Sequence, residues 1–165
     1  MKKENYLLFI CLLLLIFSAC KQKAKPVSPF IDLVNKKFEA MNRHDTNAIA
    51  KLYDDSALIQ SPNIERTEIG PKGIRGVYGR YFLTSPDMVY TISRILPGES
   101  SVTVEYTFAG TMKHLENSVP SYMLGKYYSI KSCTVLEVRN GKIIADVSYF
   151  DQVAFLRQVG FFDQH

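Results

Sequence analysis

The chain predicts an α+β fold in which helices pack against one side of a curved antiparallel sheet. Three observations predict it. Phe30, Val34, Phe38 and Met41 recur at helical spacing early in the chain. Val102, Val104, Tyr106, Phe108 and Met112 are interleaved with Thr103, Glu105, Thr107 and Thr111, a period of two that marks a strand with one face buried. Asn140-Gly141 then stands between two β-rich runs, the dipeptide that a tight two-residue hairpin turn requires. Helices first and strands after argue for an α+β arrangement.

Ahead of the domain lies an export signal. Lys2 and Lys3 supply a positive start, and Tyr6 to Phe17 is an uncharged run with six leucines. The run is too short to cross a hydrocarbon core of ~30 Å as a helix. Ser18 and Ala19 are small residues before Cys20, which matches the acylation site of bacterial lipoproteins, with Phe17 where an aliphatic residue is more usual. The competing reading is an ordinary cleaved signal with an incidental cysteine. The expected organisation is therefore a signal over residues 1–19, a tether over 20–28 beginning at lipidated Cys20, and one pocket domain over 29–165. The tether, Lys21 to Pro29, is basic and proline-punctuated, which suits a spacer and not folded structure. Lys21 directly after the lipid site is not an acidic inner-membrane retention signal, so the expected location is the outer membrane, facing the periplasm.

The whole chain carries 20 basic and 16 acidic residues; losing Lys2, Lys3 and Glu4 with the signal leaves a small positive excess, and since Lys21, Lys23 and Lys25 lie in the tether, the domain itself is close to neutral. No basic stripe suggests nucleic acid. Of three cysteines, Cys11 lies in the signal and Cys20 at the lipid site, so Cys133 has no disulfide partner and reads as a buried small apolar residue. Three scattered histidines have no ligand spacing, and neither a metal nor a cofactor is expected.

Within the domain, Ser28 and Pro29 open the first helix and Asn42-Arg43-His44-Asp45 interrupts it. Asp45 or Thr46 caps a second, shorter helix carrying Ile49, Leu52 and Tyr53. Ala57 to Gln60 reads as a short strand and Asn63 to Gly70 as a polar loop. Pro71 starts a third helix through Leu83, with Gly73, Gly76 and Gly79 placed for close packing on the sheet. Met88 to Leu96 is a strand, Lys113 to Ser121 a polar excursion, and Tyr122 to Arg139 a long strand that pairs back with Lys142 to Phe150. Gln152 to Val159 is a final helix that Gly160 ends.

These residues resemble a known family. Met41-Asn42-Arg43-His44-Asp45 and Ile49 to Ala57 look like the opening of SnoaL-like proteins. Gly70-Pro71-Lys72-Gly73-Ile74-Arg75, Val138 to Ile143 and Tyr149 to Gly160 look like that family's third helix, last hairpin and terminal segment. The family belongs to the superfamily typified by nuclear transport factor two and ketosteroid isomerase. The resemblance implies a cone-shaped fold with an internal, largely apolar pocket, often in a dimer. Its members range from cyclases and isomerases to binding modules and adaptors, so fold alone does not decide function.

The resemblance places the cyclases' acid/base carboxylate at Asp151. A carboxylate at the mouth of an apolar pocket is pushed toward neutrality, which suits proton transfer. Asp151 also directly precedes a helix, where capping alone would account for it. Ser148 and Ala145-Asp146-Val147 depart from the family's polar cluster, and Asp146 alternates to the face opposite Asp151. Tyr53, Tyr128 and Glu105 are the candidate ligand-binding residues; core packing for the tyrosines and a solvated face for Glu105 are the competing roles. The expectation is a lipid-anchored envelope domain that binds a small apolar or amphipathic molecule, with or without isomerase- or cyclase-type chemistry. A non-catalytic scaffold or protein-interaction module is the alternative.

Overall fold

The computed structural model describes residues 29–64, 66–115 and 119–164. The signal, Cys20 and the tether up to Ser28 lie outside the described residues. Helix α1 spans Pro29–Asn42 and buries Val34, Lys37, Phe38 and Met41 along one stripe. His44 leaves it in a left-handed conformation (φ 54°). Asp45 then caps α2, Thr46–Ala50, its carboxylate accepting from the Ala48 amide at 2.8 Å.

The second helix stops at Ala50, short of the Leu52 and Tyr53 expected in it. Tyr53 instead begins β1, Tyr53–Gln60, because the Leu52 carbonyl accepts from Ile143 at 3.0 Å and draws the chain into the sheet. The supposed polar loop contains a second surprise. Glu68–Ile69 forms β2, a two-residue strand paired with Leu58 and Ile59. Helix α3, Gly70–Thr84, buries Ile74, Val77, Tyr78 and Phe82. Of its three evenly spaced glycines only Gly73 packs closely, its α-carbon facing the Glu68 backbone; Gly76 and Gly79 face open space.

The remaining strands are β3 (Val89–Pro97), β4 (Ser101–Thr111), β5 (Tyr127–Arg139) and β6 (Lys142–Phe150). Residues Ser121–Met123 form a single 3-10 turn where strand was expected, so β5 starts five residues later than Tyr122. Asn140 and Gly141 both have positive φ, 53° and 74°, the backbone that the predicted tight turn demands. Helix α4, Gln152–Gln158, and a 3-10 turn at Phe161–Gln164 close the chain.

The six strands form one sheet in the order β2-β1-β6-β5-β4-β3. Four pairings are antiparallel, but β1 runs parallel to β6. The sheet is therefore mixed, since β1 arrives from α2 and joins β6 alongside its start. Register shifts at Ile92/Arg94, Glu137/Val138 and Tyr53/Leu58 bend the strands. At the β3 edge the Asn42 side chain donates to the Tyr90 carbonyl (2.9 Å) and accepts from its amide (2.8 Å), standing in for a neighbouring strand. The curved, unclosed sheet holds its core against α1 and α3.

Candidate functional site: a tyrosine- and methionine-lined cavity above a buried ion pair

A cavity of about 430 Å³ lies between the inner face of the sheet, α1, α3 and α4. Its size falls within the range of small-molecule sites. Tyr78, Tyr81, Tyr90, Tyr106 and Tyr128 line it, with Met41, Met88, Met112 and Met123 filling the spaces between rings. Aromatic edges meet on the sheet side, where Phe108 packs against Phe150 and Tyr128, and Phe155 against Tyr128. Exposed Gln60, Asn63, Arg80 and Gln152 form the rim, and Arg80 is the one charged side chain among the described lining residues.

The phenols are held neutral. Burial pushes Tyr106 and Tyr128 up to about 12. Burial raises Tyr53, Tyr78 and Tyr90 well above 10, and the Asp146 charge reinforces this at Tyr53 and Tyr78. At neutral pH these groups are hydrogen-bond donors and not bases.

Behind the cavity wall sits a charged cluster. Asp146 on β6 is fully buried, and its Oδ2 lies 3.1 Å from the Nζ of Lys37 on α1, itself 1% exposed. Tyr53 donates to the same oxygen at 2.5 Å and Tyr78 at 3.5 Å, while Thr134 donates to Oδ1 at 2.6 Å. The Lys37 ammonium also approaches the faces of Phe38 and Tyr78. Buried charges persist when paired and surrounded by donors, as here. Tyr78 joins the two regions, because its ring lines the cavity and its hydroxyl faces the carboxylate.

The candidate residues from the sequence are thus dispersed. Asp151 is exposed, caps α4 by accepting from the Ala154 amide at 2.9 Å, and is not part of the cavity lining. Tyr53 supports Asp146 and does not reach the cavity. Tyr128 lines the cavity and donates to the Ser85 hydroxyl at 2.8 Å. Glu105 lies on the outer face, where Arg94 binds it and holds its carboxyl below the usual range. Cys133 is half-buried, not fully buried, because it sits on that outer face opposite Glu105 and Tyr149. His44 stacks on Phe82 and its Nε2 meets the Met88 carbonyl at 2.8 Å. Among the described residues no cluster suits a metal ion.

The fold and its cavity set the terms for comparison with known proteins. The SnoaL-like domain family matches residues 34–145, from α1 into the start of β6. The chain belongs to the SnoaL-like family. Among curated proteins none matches it. Solved structures similar to this SnoaL-like domain include IdmH of Streptomyces antibioticus, provisionally assigned as a polyketide cyclase, at 24% identity and TM-score 0.67 over 81% of this chain and 99% of that one. A protein of ketosteroid isomerase-like fold from Catenulispora acidiphila, solved with trimethylamine, is 21% identical, with TM-score 0.66 over 78% of this chain and 92% of its own. TerC, co-crystallised with polyporic acid, is 16% identical, with TM-score 0.67 over 80% and 98%. At these identities the likeness establishes the shared fold.

The pairing of Lys37 with Asp146 went unread in the sequence of this SnoaL-like domain, although the placement of each residue left a signal. Lys37 lies three residues after Val34 and four before Met41, a lysine on an otherwise apolar stripe. Asp146, Ser148 and Phe150 share one strand face by simple alternation, and Ser148 and Phe150 line the cavity.

Proposed function

We propose that this SnoaL-like domain is a lipid-anchored protein of the cell envelope that binds a small apolar or amphipathic molecule in its cavity. The observation that carries the reading is the lining: neutral phenols, thioethers and phenyl rings inside, with one cation, Arg80, at the rim. Such a cavity takes an apolar body inward and leaves a polar end at the surface. Proton transfer by Asp151 receives no support from its capping position. If acid–base chemistry occurs, Tyr78 is its best-placed donor, since it alone touches both the cavity and Asp146. The Cys20 lipid would hold the domain at the outer membrane facing the periplasm, and exposed Tyr127 and Tyr149 on the outer sheet face offer a surface on which the expected homodimer could form.

Titrating the full chain in detergent with the apolar fluorophore N-phenyl-1-naphthylamine tests the binding. Saturable enhancement that is lost in Val77→Phe, a substitution that fills the cavity, is expected; enhancement that survives it overturns the reading. Labelling cells with an alkynyl fatty acid tests the anchor, with incorporation expected in the wild type and absent in Cys20→Ala.

A further inference from the structure

The two ends of the sheet differ in character. One end holds the β3–β4 and β5–β6 turns, joined where the Val138 amide donates to the Ser100 carbonyl at 2.9 Å. Gly98, Glu99, Ser100, Arg139 and Asn140 are exposed there, the polar composition usual in turns. The long strands run from this end to the cavity mouth, where Thr111 pairs with Tyr127 and β6 gives way to α4. The mouth end is apolar instead. Leu83, Leu124, Val153, Phe161 and Phe162 are each at least 40% exposed. The first three directly adjoin the lining residues Thr84, Met123 and Gln152, and Phe161 packs on Tyr122 and Phe162. Exposed apolar side chains gathered around one opening mark a surface that meets another apolar phase or a partner.

We infer that this end of the domain docks on the bilayer, its apolar side chains entering the boundary between headgroups and acyl chains, with the cavity mouth against lipid. The inference rests on the anchored reading above and orients the anchored domain. Charge and reach favour lipid as the occupant. Lys113 and Lys126 hold Asp87 and Asp163 at 3.2 and 3.8 Å, and Asp151 is engaged as a helix cap. Arg80 and Arg157 form no ion pair among the described residues, which leaves two cations for anionic headgroups. Phenylalanine and leucine beside cations are the mixture that interfacial segments use. Met41, in the last turn of α1, lines the cavity, and Pro29 lies about 20 Å back along that helix. The tether from Cys20 to Ser28 has a limit of ~30 Å at full extension, enough to bring the lipid to the mouth end.

The chain has no tryptophan, so single reporters can be introduced. The test places Phe162→Trp at the mouth end, and Leu96→Trp near the polar end, in the lipidated full chain. Each is reconstituted in vesicles of phosphatidylethanolamine and phosphatidylglycerol with brominated acyl chains. The reporter at 162 is expected to lose about half of its emission to bromolipid, as a side chain at the headgroup–acyl boundary should, and the reporter at 96 to keep its own. Adding Leu124→Glu to Phe162→Trp should restore the emission while the chain still floats with the vesicles. Equal quenching at 162 and 96, or quenching that Leu124→Glu leaves in place, overturns the inference and spares the anchor. A reporter at 162 shielded from iodide yet untouched by bromolipid points to a second copy or another protein on this surface, and also overturns it. A wild-type chain that does not float with vesicles removes the anchored reading, and this inference with it.

Discussion

Lys37 on α1 and Asp146 on β6 form an ion pair sealed between the first helix and the last strand, 3.1 Å apart and both out of contact with solvent. The pair ties the first helix to the last strand beneath the cavity. Its carboxylate is saturated by three hydroxyl donors besides the ammonium, which suits a pinned support better than a group free to exchange protons with a ligand.

Breaking this pair from one side leaves a buried charge without a partner. Asp146→Asn is expected to destabilise the domain by about 3–5 kcal/mol in chemical denaturation, because Lys37 loses its counter-charge. Replacing both groups together, Lys37→Met with Asp146→Leu, should cost less than the sum of the two single changes. A double-mutant cycle reads the difference.

At Asp151 the chemical and capping roles predict opposite results. Asp151→Asn keeps a good helix cap, so stability and probe affinity should stay close to wild type. Asp151→Ala loses the cap and should cost about 1 kcal/mol, loosening α4 and with it the Phe155 and Leu156 wall of the cavity. Thermal melts and fluorophore titration on the two variants separate the roles.

Gly110 shapes the cavity from the backbone. A β-carbon there would stand 3.1 Å from the Tyr128 hydroxyl and 3.2 Å from both Met88 and Ser85. Gly110→Ala should therefore push Tyr128 away from Ser85, lower affinity for the ligand probe and cost about 1–3 kcal/mol in stability. Denaturation and titration of this variant measure both.

The pH dependence follows from the tyrosines. Their neutral form is favoured in the folded state, with Tyr106 and Tyr128 raised by burial to about 12. That stabilisation is complete below the unfolded phenol range of ~10 and is lost as pH rises through the folded value. Spectrophotometric titration should show exposed tyrosines ionising first, and the buried set ionising only as circular dichroism reports unfolding between pH ~10 and ~12.

Local signals in the sequence were legible wherever one short segment determined the outcome. Asn140-Gly141 made its turn, Asp45 its cap, and the Val102 to Thr111 alternation its two-faced strand. Leu52 and Tyr53 misled because they follow Ile49 at helical spacing, while the deciding contact is with Ile143 far along the chain. The same distance hid the site. Tyr53 and Asp146 stand 93 residues apart, and neither β1–β6 parallel pairing nor the Lys37 contact has a local signature. Asp151 drew attention by family resemblance at the start of a helix, where capping alone accounts for it.

The methionines of the cavity report on its occupancy directly. Of the chain's five methionines, Met41, Met88, Met112 and Met123 line the cavity, and the fifth is Met1. Methyl-labelled methionine observed by NMR during titration with N-phenyl-1-naphthylamine is the most direct test. Binding in the cavity predicts that all four methyl signals shift together and saturate along one isotherm. Four unmoved signals, or shifts that grow without saturation, would contradict it.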